Sequence, residues 1–239
     1  MVALGHGSAR VTGQFRFAPM RGFVMSFLRA SIAQSVALLA IAAASPALAH
    51  PHVFVVVKSE LVFNDKGLVT GVRHAWTFDD MYSSFVTTGL TADGKPPTEA
   101  QLQPLAEQNV GDLAEFGYFT VLKAPGQKIE IGKPDAISMS LNDKNLVTLR
   151  FTANLKTPAS AGRALTFQVY DPTYFVSFDF DKNGVSLASA PSGCSLTLVP
   201  PKSLDDTESQ KLSEAFFSGL SPGADFGIKL AGRAIVACP

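Results

Sequence analysis

The stretch His52-Val-Phe-Val-Val-Val-Lys-Ser-Glu-Leu-Val-Phe63, followed by Asn64-Asp-Lys-Gly67 and by Leu68-Val-Thr-Gly-Val-Arg-His-Ala-Trp-Thr-Phe78, reads as strand, turn and strand. Both long runs are β-branched or aromatic, and the four residues between them are turn formers. In the first run the odd positions Val53, Val55, Val57, Leu61 and Phe63 are apolar and only Ser59 breaks the series. Its even positions mix Phe54, Val56 and Val62 with His52, Lys58 and Glu60. In the second run Leu68, Val72, His74, Trp76 and Phe78 share the even positions. Pairing Phe63 with Leu68 brings the two apolar sets onto one face, because residues directly opposite share a face. That register sets His52 opposite Asp79 on the other face and His74 on the core face, opposite Val57. An extended His50 shares the outer face with His52, so the pattern nominates His50, His52 and Asp79 as a cluster. His74 joins them only if a bulge at Gly71, or an open end of the sandwich, redirects its ring.

Strand signals dominate the rest of the chain. Phe119–Lys123, Lys128–Ile131, Ile137–Leu141, Leu146–Ala153, Ala164–Tyr170, Tyr174–Phe180 and Ser195–Val199 are short apolar or β-branched runs separated by turn residues. Ala234 to Cys238 is strand-like too. Two segments carry helical period instead. Thr98–Phe116 opens on a threonine cap and lines up Leu102, Leu105, Val110, Leu113 and Phe116; Ser203–Leu220 opens on Ser203-Leu-Asp-Asp. The expected fold is mainly β with two helices, an α+β, antiparallel β-sandwich-like single domain.

Ahead of the first strand, Phe27–Ala44 is small or apolar, Arg29 supplies a positive charge, and Ala47-Leu48-Ala49 has the small residues that a signal peptidase reads. Residues 1–49 are therefore expected to be an export signal, Met1–Val24 being an over-extended start before Met25. Its apolar run is too short and too interrupted for a spanning helix of about 20 residues. Residues 50–239 form the exported β-rich domain, periplasmic and not inserted in the membrane. Arg10, Arg16, Arg21 and Arg29 leave with the signal while all 20 acidic residues stay, so the domain carries 16 basic residues against 20 and a net charge of −4. A mildly acidic surface without a basic stripe argues against nucleic acid as a partner. The two cysteines, Cys194 and Cys238, fall in the exported part without CxxC spacing, so a structural disulfide is the default, worth roughly 4 kcal/mol for a loop of about 45 residues.

Cleavage after Ala49 would leave His50 as the amino terminus. Its α-amine and ring nitrogen can chelate one metal together, and His52 adds a further imidazole. Three of the four histidines survive cleavage, all within the first 25 residues of the domain. Each candidate also has a plainer role: His50 and His52 as a solvated terminus, His74 as a hydrogen-bonded core histidine, and Asp79-Asp80 as a turn or the cap of a helix into Met81-Tyr82-Ser83. Asp179-Phe-Asp-Lys-Asn-Gly184 begins like a calcium loop but has Ala190 at its twelfth position, and a hairpin turn explains it better. Trp76, Phe78, Tyr82, Phe85, Tyr170, Tyr174, Phe175 and Phe178 are expected in the core, or along the wall of a groove. No nucleophile elbow, zinc-protease helix, P-loop or dinucleotide fingerprint occurs, and the chain does not read as an enzyme.

His50-Pro-His52, the block Val72-Arg-His-Ala-Trp-Thr-Phe-Asp-Asp80 with Tyr82-Ser83, Leu102-Gln-Pro-Leu-Ala-Glu, Tyr170-Asp-Pro-Thr-Tyr-Phe-Val176, Gly193-Cys194 and the final cysteine together resemble the bacterial domain of unknown function 1007 family. The resemblance implies a periplasmic component associated with nickel/cobalt-type permeases, with a role in zinc or nickel supply. It implies His50, His52 and His74 as metal ligands, with Asp79 or Asp80 as a carboxylate. Nitrogen-rich ligation favours Zn, Ni, Co or Cu over Mg and Ca. The expected function is thus a transition-metal-binding accessory protein that hands its ion to an inner-membrane metal permease. Two other classes compete: a permease-docking module that binds no metal, and a copper protein with a histidine brace at its amino terminus. The chain lacks the alternating β-α-β pattern of two-lobed solute-binding proteins.

Overall fold

The opening hairpin is present as β1 (Val53–Phe63) and β2 (Leu68–Phe78), antiparallel neighbours in a computed structural model that describes residues 52–90, 94–201, 207 and 227–239. The signal segment, His50 and nearly all of the expected helix Ser203–Leu220 lie outside the described residues. Asn64 closes the turn: its backbone N–H donates to Leu68 O at 2.9 Å, and its side-chain oxygen accepts from the N–H groups of Lys66 and Leu68, both at 3.0 Å. Gly67 completes it at φ 71°, a conformation open to glycine at no steric cost. Asn142-Asp-Lys-Asn145 repeats the device further on, with Asn142 accepting from Lys144 and Leu146 and Asn145 at φ 58°.

The register differs from the simple one. Phe63 pairs with Val69 rather than Leu68, Thr70 is an extra residue, and from there Val62 faces Gly71, Ser59 faces His74 and Val57 faces Trp76. A Cβ on Gly71 would stand 3.0 Å from the Ala153 carbonyl oxygen, so the bulge sits where the next strand's backbone comes close. Turn and bulge together shift the ladder by two residues. An even shift preserves the faces, which is why His74 still points into the core, but Val69 is buried there and Leu68 only partly. It also moves Asp79 opposite Phe54, whose carbonyl accepts the Asp79 N–H at 3.0 Å, and away from His52.

After β2 come helix α1 (Asp80–Thr87), helix α2 (Glu99–Asp112) and a 3-10 segment over Leu113–Phe119. Thr98 and Gln101 form a reciprocal capping box at the start of α2, which buries Leu102, Ala106 and Val110 and lies on β5. Phe116 falls beyond the helix and is 50 % exposed, contrary to the single periodic face expected for it. The strands that follow are β3 (Thr120–Ala124), β4 (Gln127–Ile129), β5 (Asp135–Leu141), β6 (Val147–Ser160), β7 (Leu165–Val169), β8 (Val176–Ala188) and β9 (Ser195–Val199). A one-turn helix α3 (Gly227–Leu230) precedes β10 (Arg233–Ala237).

Among the described residues the strands form two five-stranded sheets, ordered β5-β6-β2-β1-β8 and β4-β3-β7-β10-β9. Val57, Trp76, Leu149 and Phe151 of the first meet Leu122, Phe167, Val169 and Val236 of the second in one apolar core. Among the described residues every strand pairing is antiparallel except β1 with β8, which is parallel. Along that pair Phe180 aligns with Val57 and Val185 with Ser59, so Asp181–Gly184 is a bulge within β8 and not a hairpin turn. The reason is local: Phe180 stands where the two true turns have Asn64 and Asn142, so no side-chain amide closes a reversal. Lys58 reaches the bulge through an ion pair with Asp181 at 3.3 Å. Cys194 and Cys238, just outside the β9–β10 ladder, form a disulfide. Among the described residues no helix is long and apolar enough to cross a membrane.

Candidate functional site

His74 is the polar centre of the sandwich, 3 % exposed between the two sheets. The Trp76 indole N–H donates to its Nδ1 at 3.2 Å, and an indole is only a donor, so Nδ1 is the acceptor nitrogen. Ser59 Oγ, 2.9 Å from the same atom, also donates to it. Nε2 therefore carries the proton and gives it to Thr120 Oγ1 at 3.1 Å, while Thr120 donates onward to the Tyr118 carbonyl at 2.7 Å. Phe151 and Phe167 close the ring in at 4.9 and 6.0 Å. Removal from water pushes the imidazole down to about 3, so it is neutral at physiological pH. Its role is to join β1, β2 and β3 across the core.

His52 lies on the outside, at the head of β1. Its N–H donates to Phe175 O at 2.9 Å and its ring meets the Phe175 ring at 4.8 Å. His74, by contrast, pairs with Ser59, seven residues along β1 and so about 20 Å further down the strand. The structure thus separates His52 from His74. Asp79 is the N-cap of α1: one carboxylate oxygen accepts from Tyr82 N at 2.8 Å and the other from Phe54 N at 2.6 Å. Asp80 is exposed in the first turn of α1, where a negative charge favours the helix dipole. Among the described residues no group of three or more His, Cys, Asp or Glu side chains could hold a metal ion.

Beside His52 the sandwich opens into a cleft of about 210 Å3, walled by Trp76, Phe78, Tyr82, Phe119, Phe175 and Phe178 among others. The expected aromatic wall therefore exists, although Phe85 is 76 % exposed on α1 and Phe175 is 46 % exposed at the rim rather than in the core. Two polar partners enter from α2. Asn109 donates to the Tyr82 hydroxyl at 3.0 Å, and Asp112 stands at the edge. Burial raises the Tyr82 phenol above its ordinary range, an effect that the Asn109 bond partly offsets, so the hydroxyl stays protonated. Neither Asn109 nor Asp112 was legible as a site residue, since both meet the cleft only through the packing of α2. Ser59 did leave a trace, as the one polar residue in the odd series of β1.

Among the described residues ten strands form a small β-rich sandwich domain with a buried histidine at its centre, an aromatic cleft at one end and an exposed histidine at the head of its first strand. Family comparison agrees with the resemblance: the chain belongs to the DUF1007 family, proteins of unknown function, whose profile matches residues 35–238. Among curated proteins no sequence matches.

Proposed function

We propose that the protein is a periplasmic accessory that takes up a divalent transition metal at its amino-terminal histidines and passes it to an inner-membrane permease. The observation that supports this reading is the position of His52, at the outer head of β1 directly after His50-Pro51. His74, the third histidine of the exported chain, is committed to the core. Two imidazoles, joined by the α-amine of His50 once the signal is removed, offer up to three nitrogen donors on a chain end. Coordination positions left open suit exchange with a partner better than storage. Asp79 is better placed as a helix cap than as a ligand, since both its oxygens already hold backbone N–H groups.

The permease-docking reading also has its own support. Phe54 and Val56 on the outer face of β1, with Met81 and Phe85 on α1, are 52, 48, 66 and 76 % exposed, and Phe54 adjoins α1 through the Asp79 carboxylate. Such a patch suits contact with another protein. One experiment separates the readings. Exported chain whose amino terminus is shown by mass spectrometry to be His50 is dialysed against zinc or nickel, and bound metal is measured. Near-stoichiometric metal that is lost in the His50→Ala, His52→Ala double variant supports metal capture. A wild-type chain that binds none, yet is retained by the permease, supports docking alone.

A further inference from the structure

We propose that the aromatic cleft binds a small organic cation, an amine whose apolar or aromatic body is no larger than about one ring. Size sets the body: a cavity of about 150 Å3 takes a benzene ring, and this one has about 210 Å3. Nine of its twelve described lining side chains, among them Trp76, Phe78, Phe119, Phe175 and Phe178, offer no ligand atom for a metal ion, so the described lining suits an organic body better than a metal.

The charge follows from the aromatic walls, the carboxylate at the edge and the Tyr82 hydroxyl, which point the same way. Aromatic faces attract cations and repel anions. Asp112 is the one charged side chain among the described lining residues. It is also the last residue of α2, whose final turn holds no basic residue, so no cation in that turn offsets the carboxylate at the cleft edge. Tyr82, held by Asn109, supplies the hydroxyl oxygen that an ammonium N–H would meet. On the far wall Gly117, Tyr118 and Phe119 take φ values of 59°, 56° and 47°, and this left-handed run sets the Phe119 ring against Phe178 at 5.4 Å. Two of those three residues carry side chains that disfavour the conformation.

Trp76 lines the cleft and is the only tryptophan of the chain, so its emission reports occupancy directly. The exported chain is titrated with benzylamine, benzyl alcohol and benzoate in the presence of a chelator, which makes the outcome independent of the metal reading. Benzylamine should change the emission saturably, the alcohol should bind about tenfold more weakly, and benzoate should give no saturable change. Asp112→Asn should erase the preference for the amine. Leu113→Phe, which fills the cleft from its rim, should abolish binding at an unchanged melting temperature. Equal affinity for amine and alcohol, or no saturable change with millimolar benzylamine, would overturn the proposal.

Discussion

At the scale of single residues the histidines divide by environment. His74 titrates near about 3 in the folded protein and near about 6.5 when unfolded, so below about 6.5 the unfolded chain takes up a proton that the native chain refuses. The stability that neutral His74 contributes is complete above that pH and is lost as the pH falls toward about 3, by up to about 1.4 kcal/mol per pH unit. Urea midpoints of wild type and His74→Gln should therefore converge on acidification between about pH 6.5 and 4.5. Parallel pH profiles would mean that the imidazole is not held neutral. Ser59→Ala should cost about 1 kcal/mol, and much less in the His74→Gln background, because the two share one hydrogen bond. Alternation alone placed His74 on the core face and singled out Ser59. Thr120 was not legible, since it lies 46 residues away on the other sheet and pattern carries no information about which strand faces which.

At the scale of elements, turn chemistry was readable and register was not. Asn64 and Asn142 announce their reversals through a side-chain oxygen that accepts two backbone N–H groups. The extra residue at Thr70 is set by the close passage of β6 behind Gly71, a tertiary cause absent from the hairpin's own sequence. Because the shift is even, the faces survive and only the partners change, which is how Asp79 comes to cap α1 and bind Phe54 rather than face His52. Asp79→Ala should accordingly destabilise the fold by about 1–2 kcal/mol through the lost cap, with metal uptake unchanged. Were metal affinity to fall with the melting temperature intact, Asp79 would be a ligand and the cap incidental.

At the scale of the whole molecule, a two-layer β fold was evident from the strand runs and the turn residues between them, but the parallel union of β1 with β8 was not, because it joins segments more than a hundred residues apart and gives no local signal. Among the described residues the last strand of the second sheet, β9, pairs only with β10. Five residue pairs hold β9 there, at an edge where most of its side chains are exposed. Cys194 and Cys238 bridge the end of this ladder and close a chain segment with a sequence separation of 44. Loop closure of that length is worth up to roughly 4 kcal/mol, and the lost constraint falls on the unfolded ensemble. Reduction, or Cys194→Ser with Cys238→Ser, should thus lower the melting temperature by about 5–15 °C. Local opening should start at the edge, so amide exchange should accelerate in Ser195–Val199 well before it does in β2, where His74 and Trp76 sit in the core. A melting temperature unchanged after reduction, with two thiols titratable in the denatured protein, would show that the β9–β10 ladder holds without the bridge. Uniform acceleration across both sheets would show instead that the disulfide supports the whole sandwich and not its edge.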